Sequence, residues 1–234
     1  MKNKLLLLTI ITVLLIGCKS SLINYALEKK GIYDDHITTK TFSVANKQII
    51  FLPMQHVGRK EYYDDVKRKI DSLKSKDYVF FYEKIIDDTK DTLDLYKFRK
   101  IIHFGIPKNG YVNLLDSLYK SGTKFKYTLI NQPSIETFGL TSQNSFNIDM
   151  TIETIINNVE KSKDITLEQC DFINSYTQNY KCTNKLLNKE EWKKYLIDDR
   201  NDFLVNEVKK SKFKKIVVIY GKAHLNGFEN QIAK

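Results

Sequence analysis

The sequence predicts an α/β domain, in which a central, mostly parallel sheet is flanked by helices and carries a helical insertion. Three observations predict it. The β-branched run Ile216-Val217-Val218-Ile219-Tyr220, flanked by lysines, reads as a strand buried on both faces. Two further apolar runs, Gln48–Met54 and Tyr78–Tyr82, are joined by a segment with helical spacing, which makes a crossover unit and implies parallel strands. All three runs deliver a histidine or a carboxylate at the carboxyl end: His56, Glu83 and His224. In an open α/β sheet that rim is where ligands bind, so the three side chains converge if the strands lie side by side.

At 234 residues and 42% hydrophobic, the chain suits one sizeable domain, with no repeat and no low-complexity tract. The net charge is +10, or +8 once the two lysines of the leading segment are subtracted. Lysines are scattered through 60–76, 181–194 and 209–215, and aspartates and glutamates sit between them along the chain. That scatter describes a solvated surface and not a nucleic-acid track, so no nucleic-acid partner is expected.

Residues 1–17 carry lysines at 2 and 4 and an apolar run from Leu5 to Ile16, without an acid. The run is short for a transmembrane helix and reads as a secretory signal peptide. Leu15-Ile16-Gly17-Cys18 resembles the lipobox of bacterial lipoproteins. The resemblance implies that Cys18 is the first mature residue, acylated and holding the protein to a lipid bilayer in the cell envelope, outside the cytoplasm. Residues 18–39 then form a polar, lipidated tether, and the domain occupies 40–234. Outside the cytoplasm Cys170 and Cys182 are close enough in sequence to form a disulfide, although Cys170 would serve equally as a small buried residue.

Within the domain, Thr41–Val44 and Gln48–Met54 flank Ala45-Asn46-Lys47 as a hairpin. A helix over Arg59–Lys76 buries Tyr62, Tyr63, Val66, Ile70 and Leu73. Helices are expected over Asp88–Phe104 and Asn109–Ser121, a third strand over Lys124–Ile130, and a long loop over Asn131–Ile148. Asp149 reads as the N-cap of the next helix, and Thr166 with Gln169 as a capping box. Asn188 with Glu191 opens a long helix to about Lys210, whose apolar arc holds Trp192, Leu196, Phe203 and Leu204. Arg200 falls inside that arc, where it must snorkel out or find an anion. His103, near a helix end, reads as a cation facing the helix dipole.

Two imidazoles and a carboxylate suit zinc, manganese, iron or cobalt with water in the open positions, and such a metal does hydrolase chemistry. Without a metal, a histidine beside a carboxylate can deprotonate water and an arginine can hold an oxyanion. The candidate catalytic residues are His56, Glu83, Arg200 and His224; the candidate metal ligands are His56, Glu83 and His224. No phosphate-cradling loop and no serine or cysteine nucleophile elbow occurs.

Met54-Gln55-His56-Val57-Gly58 with Tyr62-Tyr63, Glu83, Asp199-Arg200-Asn201 and Gly221-Lys222-Ala223-His224-Leu225-Asn226-Gly227 resemble the TraB/PrgY group, related to the TIKI metalloproteases and more remotely to the erythromycin esterases and the ChaN haem-binding lipoproteins. The resemblance runs from about Gln48 onward. It implies that His56 and His224 are the histidines of two G-x-x-H boxes, that Glu83 is the family glutamate and Arg200 the family arginine, on an α/β fold. In its protease branch it implies metal-dependent peptide hydrolysis. The first box departs from the pattern, because Pro53 stands where the family has glycine and so lacks an amide donor. The expected function is an anchored hydrolase acting on a peptide or another acyl substrate. A non-catalytic protein that sequesters a peptide, haem or a partner protein is the alternative.

Overall fold

The computed structural model of the protein describes residues 20–106, 115 and 122–233. The signal peptide, Cys18 and all but Leu115 of the helix expected over Asn109–Ser121 lie outside these residues. A five-stranded sheet runs in the order β1 (Lys40–Val44), β2 (Lys47–Met54), β7 (Lys215–Gly221), β4 (Val79–Tyr82), β6 (Ser145–Asn147). Only β1, the first arm of the hairpin, is antiparallel to its neighbour.

The alternation along β7 explains its central place. Val217 and Ile219 face the helix Lys60–Lys74, which brings Tyr62, Tyr63, Val66 and Ile70 onto one side of the sheet. Ile216, Val218 and Tyr220 face the other side, against Leu204, Val205 and Val208 of the helix Asp199–Lys210 and Phe228 and Ile232 of the helix Leu225–Ile232. A strand apolar on both faces is stable only when both are covered, and here they are. The helices Thr92–Ile102 and Ile152–Glu160 build a separate cluster with Met150, Tyr195 and Leu196, which is the helical insertion.

Several expectations are corrected. The strand expected over Lys124–Ile130 reduces to β5 (Ile130–Asn131), paired antiparallel with β3 (Val57–Gly58). The edge strand is β6 instead, inside the stretch expected as a loop; with three residues it is too short to show a period. Thr151 caps the helix Ile152–Glu160 through its side chain, leaving Asp149 for another partner. The capping box expected at Thr166 and Gln169 is made by Glu168 and Asp171. Residues 20–29 form a helix, and Tyr33 and Ile37 beyond it are buried, so the described part of the expected tether packs on the domain. His103 is the left-handed cap at φ 64°, and burial, with Lys185 and Lys100 nearby, lowers its pKa, which works against the cation expected there.

Cys170 and Cys182 are joined. Their loop closes around Arg99, which is fully buried, donates to Asn174, Ser175 and the Asp171 carbonyl, and lies over the rings of Tyr96 and Tyr180. Inside the same loop Lys100 donates to the buried Asp171 carboxylate at 2.8 Å. Removing the bridge in the double variant Cys170→Ser, Cys182→Ser is expected to cost about 3 kcal/mol of unfolding free energy in urea, as for a loop of this size.

Candidate active site

Glu83, His224 and His56 arrive at one rim because β4, β7 and β2 are neighbours and parallel. Glu83 directly follows β4, its amide continuing the ladder onto the Ile219 carbonyl at 3.0 Å. His224 lies one short turn beyond β7, at the head of the helix Leu225–Ile232. His56 follows β2 at a corner held by two tyrosines: Tyr62 donates to the Pro53 carbonyl at 3.0 Å and Tyr63 to the Gln55 carbonyl at 2.8 Å. These hydroxyls fix the backbone from outside at the place where Pro53 can donate nothing.

The three meet above Gly221. A Cβ placed there would lie 3.2 Å from Glu83 Oε2 and 3.8 Å from both His56 Nε2 and His224 Cδ2. The Gly221 amide donates to Glu83 Oε2 at 2.5 Å. His56 is exposed and its Nδ1 is 3.1 Å from Gln132 Oε1. In the tautomer whose Nδ1–H donates to that oxygen, Nε2 is the acceptor nitrogen facing the rim.

Arg200 does not snorkel. It is 5% exposed, and its Nε and Nη2 form a two-point pair with Asp149 at 2.9 and 2.7 Å. Nη2 also donates to Glu83 Oε1 at 2.7 Å, while Nη1 faces the Leu196 carbonyl at 3.0 Å and His224 Nε2 at 3.3 Å. Four of the five guanidinium N–H bonds point at an oxygen, and the fifth faces His224 Nε2. The arginine expected to hold an oxyanion has no donor left for a substrate and acts as the tie between two carboxylates and an imidazole. A π-helical turn over Lys194–Asp198 lies just ahead of it and supplies the Leu196 carbonyl.

His224 is 2% exposed, with Nδ1 3.0 Å from Asn201 Oδ1 and its ring edge-on to Tyr220. Tyr220 donates to the Ile148 carbonyl, and burial, with Asp149 nearby, pushes its pKa well above the ordinary value. Burial opposes the charge on Glu83, but Arg200, then His224 and the Gly221 amide, outweigh it and hold the carboxyl well below its ordinary pKa. Burial likewise opposes the Arg200 charge, and Asp149 and Glu83 outweigh it. Because the folded-state pKa of Glu83 is depressed, its stabilisation is complete above the ordinary value of 4.5 and is lost as pH falls through the depressed one. Urea unfolding at stepped pH is expected to show a falling acid limb that Glu83→Gln flattens.

The donor chemistry of His56, Glu83 and His224 suits a transition metal, but their arrangement does not fit one. Glu83 Oε1 and His224 Nε2 both point at Arg200. Among the described residues, the group of three metal-type donors lying within 4.8 Å of one another is Cys170, Asp171 and Cys182, whose cysteines are bridged. Three participants were not singled out from the sequence as site residues. Asp149 was masked by its plausible role as a cap, Gln132 lay in an unpatterned stretch, and Asn201 carried no signal beyond adjacency to Arg200. Comparison with protein-family models, with curated proteins and with solved structures returns no match to the chain.

Proposed function

We propose that this rim is the active site of a hydrolase of peptide or other acyl bonds, working without a metal, with His56 as general base. The observation that carries the reading is the convergence of His56 Nε2 and Glu83 Oε2 on one point above Gly221. Water held in the gap between His56 Nε2 and Glu83 Oε2 gives a proton to His56 Nε2 as its oxygen bonds to the substrate carbonyl carbon. The imidazolium then returns the proton to the departing amine or alcohol as the scissile C–N or C–O bond breaks. Glu83, kept ionised by Arg200, orients the water and stabilises the imidazolium. Arg200, Asp149 and His224 are positioning residues, since their polar atoms face one another.

The likeness of the His56, Glu83, Arg200 and His224 segments to the TraB/PrgY group supports hydrolysis, and the lipobox-like Leu15–Cys18 supports a lipid-anchored protein of the bacterial envelope. The Cys170–Cys182 bridge agrees, because disulfides persist in oxidising compartments.

A peptide and ester library screen on protein purified without chelator tests the reading, with metal content measured in parallel. Cleavage is expected to survive chelation and to fall about 10²- to 10⁴-fold in His56→Ala, the usual weight of a general base. Stoichiometric metal lost in His56→Ala and His224→Ala, with chelator-sensitive cleavage, would replace it with the metal-dependent reading. Ligand retention without turnover in both variants and in the parent would make the protein a binder.

A further inference from the structure

We infer that the helix over residues 20–29 and the turn beside it form a docking face for an anionic lipid bilayer. This helix is amphipathic in an unusual sense. Its inner side, Ser20, Ile23, Asn24 and Leu27, is partly covered by the domain, as the spacing requires. Its outer side, which faces no other part of the described chain, nevertheless presents Leu22 at 70% and Tyr25 at 59% exposure, one turn apart, followed by Lys29 over the Tyr25 ring. A solvated helix face has no reason to carry two large apolar side chains in line.

The turn alongside has the same chemistry. Lys124 and Lys126 are exposed, and Tyr127 is 39% exposed with Arg59 and Lys126 over its ring. It is fixed to the helix: Asn24 donates to the Lys124 carbonyl at 2.8 Å and accepts from the Lys126 amide at 2.9 Å, and the Lys124 amide reaches Ser20 Oγ at 3.3 Å. Aromatic and aliphatic tips interleaved with lysines are what an interfacial surface requires, the apolar tips entering the acyl boundary while the ammonium groups stay with the headgroups.

Two arguments identify the occupant as a bilayer. Cys18, the residue the lipid-anchor reading acylates, lies two residues before Ser20, and Ser20 is itself hydrogen-bonded to the Lys124 amide, so an anchored N-terminus leaves this face little room to stand away from the lipid. Lys29, Lys30, Lys124 and Lys126 outnumber Glu28, the acid on the same helix that pairs with Lys126 at 3.1 Å, so the face is net basic and complements anionic headgroups. The inference rests on the lipid-anchor reading and does not require the hydrolase reading.

The test uses the full chain reconstituted in vesicles of brominated phosphatidylcholine and phosphatidylglycerol. Trp192 is the single tryptophan, so Leu22→Trp and Tyr25→Trp are placed in a Trp192→Phe background. Bromine is expected to quench Trp at 22 and at 25 but not Trp192 in the parent. Quenching is expected to be lost when Lys124→Glu and Lys126→Glu are added, or when phosphatidylglycerol is omitted. Unquenched emission at both positions in protein that still floats with the vesicles would overturn the inference. So would a concentration-dependent dimer, broken by Leu22→Glu, in protein whose tryptophans stay unquenched.

Discussion

Arg200→Met is expected to lower the unfolding free energy by about 3–5 kcal/mol, the usual cost of removing one partner from a buried ionic cluster. The variant leaves Asp149 and Glu83 on opposite sides of an apolar side chain with no counter-charge, and strips His224 and the Leu196 carbonyl of a donor. Arg200→Lys keeps the charge but has three N–H bonds where five are used, so it recovers only part of the loss. Adding Asp149→Asn to Arg200→Met removes one stranded charge and is expected to restore part of the stability. Urea denaturation of the four proteins checks the order. A loss below about 1 kcal/mol for Arg200→Met, the scale of an exposed pair, would mean that the cluster is not desolvated.

Gly221→Ala is expected to abolish turnover while leaving the fold intact. Gly221 has φ −53° and ψ 143°, which any residue adopts, so alanine meets no backbone strain. Its methyl group would stand at the one point where Glu83 Oε2, His56 and His224 approach, 3.2 Å from the carboxylate oxygen. The methyl group thereby narrows the gap between His56 and Glu83 in which water would be held. Displacing a reacting group by about 1 Å costs on the order of 10²-fold in rate, and filling its place costs at least that. The measurement is turnover against the best library substrate, beside thermal unfolding of the same sample. Parent-like turnover with a parent-like melting curve would remove this point from the reaction path. At Gly227 the constraint is packing, because an added Cβ would collide with the Asn201 side chain.

What was legible in the sequence follows from signal length. β2, β4 and β7 are apolar runs ending on chemistry-bearing residues, and their parallel adjacency, the helix Lys60–Lys74 between two of them, and the box at Asn188 and Glu191 all appear as read. Arg200 was visible as a conflict, a charge on an apolar arc, but the conflict does not say how it is resolved. The resolution is Asp149, fifty-one residues away and just past an edge strand of three residues that has no detectable period. Residues 20–39 look polar because their buried contacts are few and widely spaced, Leu27, Tyr33 and Ile37, and are completed by distant segments. His56, His224 and Glu83 were read as equal donors to a metal. The sequence holds no information on which way a carboxylate turns, and Glu83 turns toward a guanidinium.

The order of the strands also governs when the rim can be assembled. The middle strand, β7, is built from residues that follow more than two hundred others, and it must slide between β2 and β4, pairing Gln48 with Lys215 and Val79 with Ile216. Contacts so remote along the chain form late and slowly. A nascent or truncated polypeptide ending before that insertion has neither the strand that joins β2 to β4 nor His224, so the rim is the last part of the molecule to be assembled.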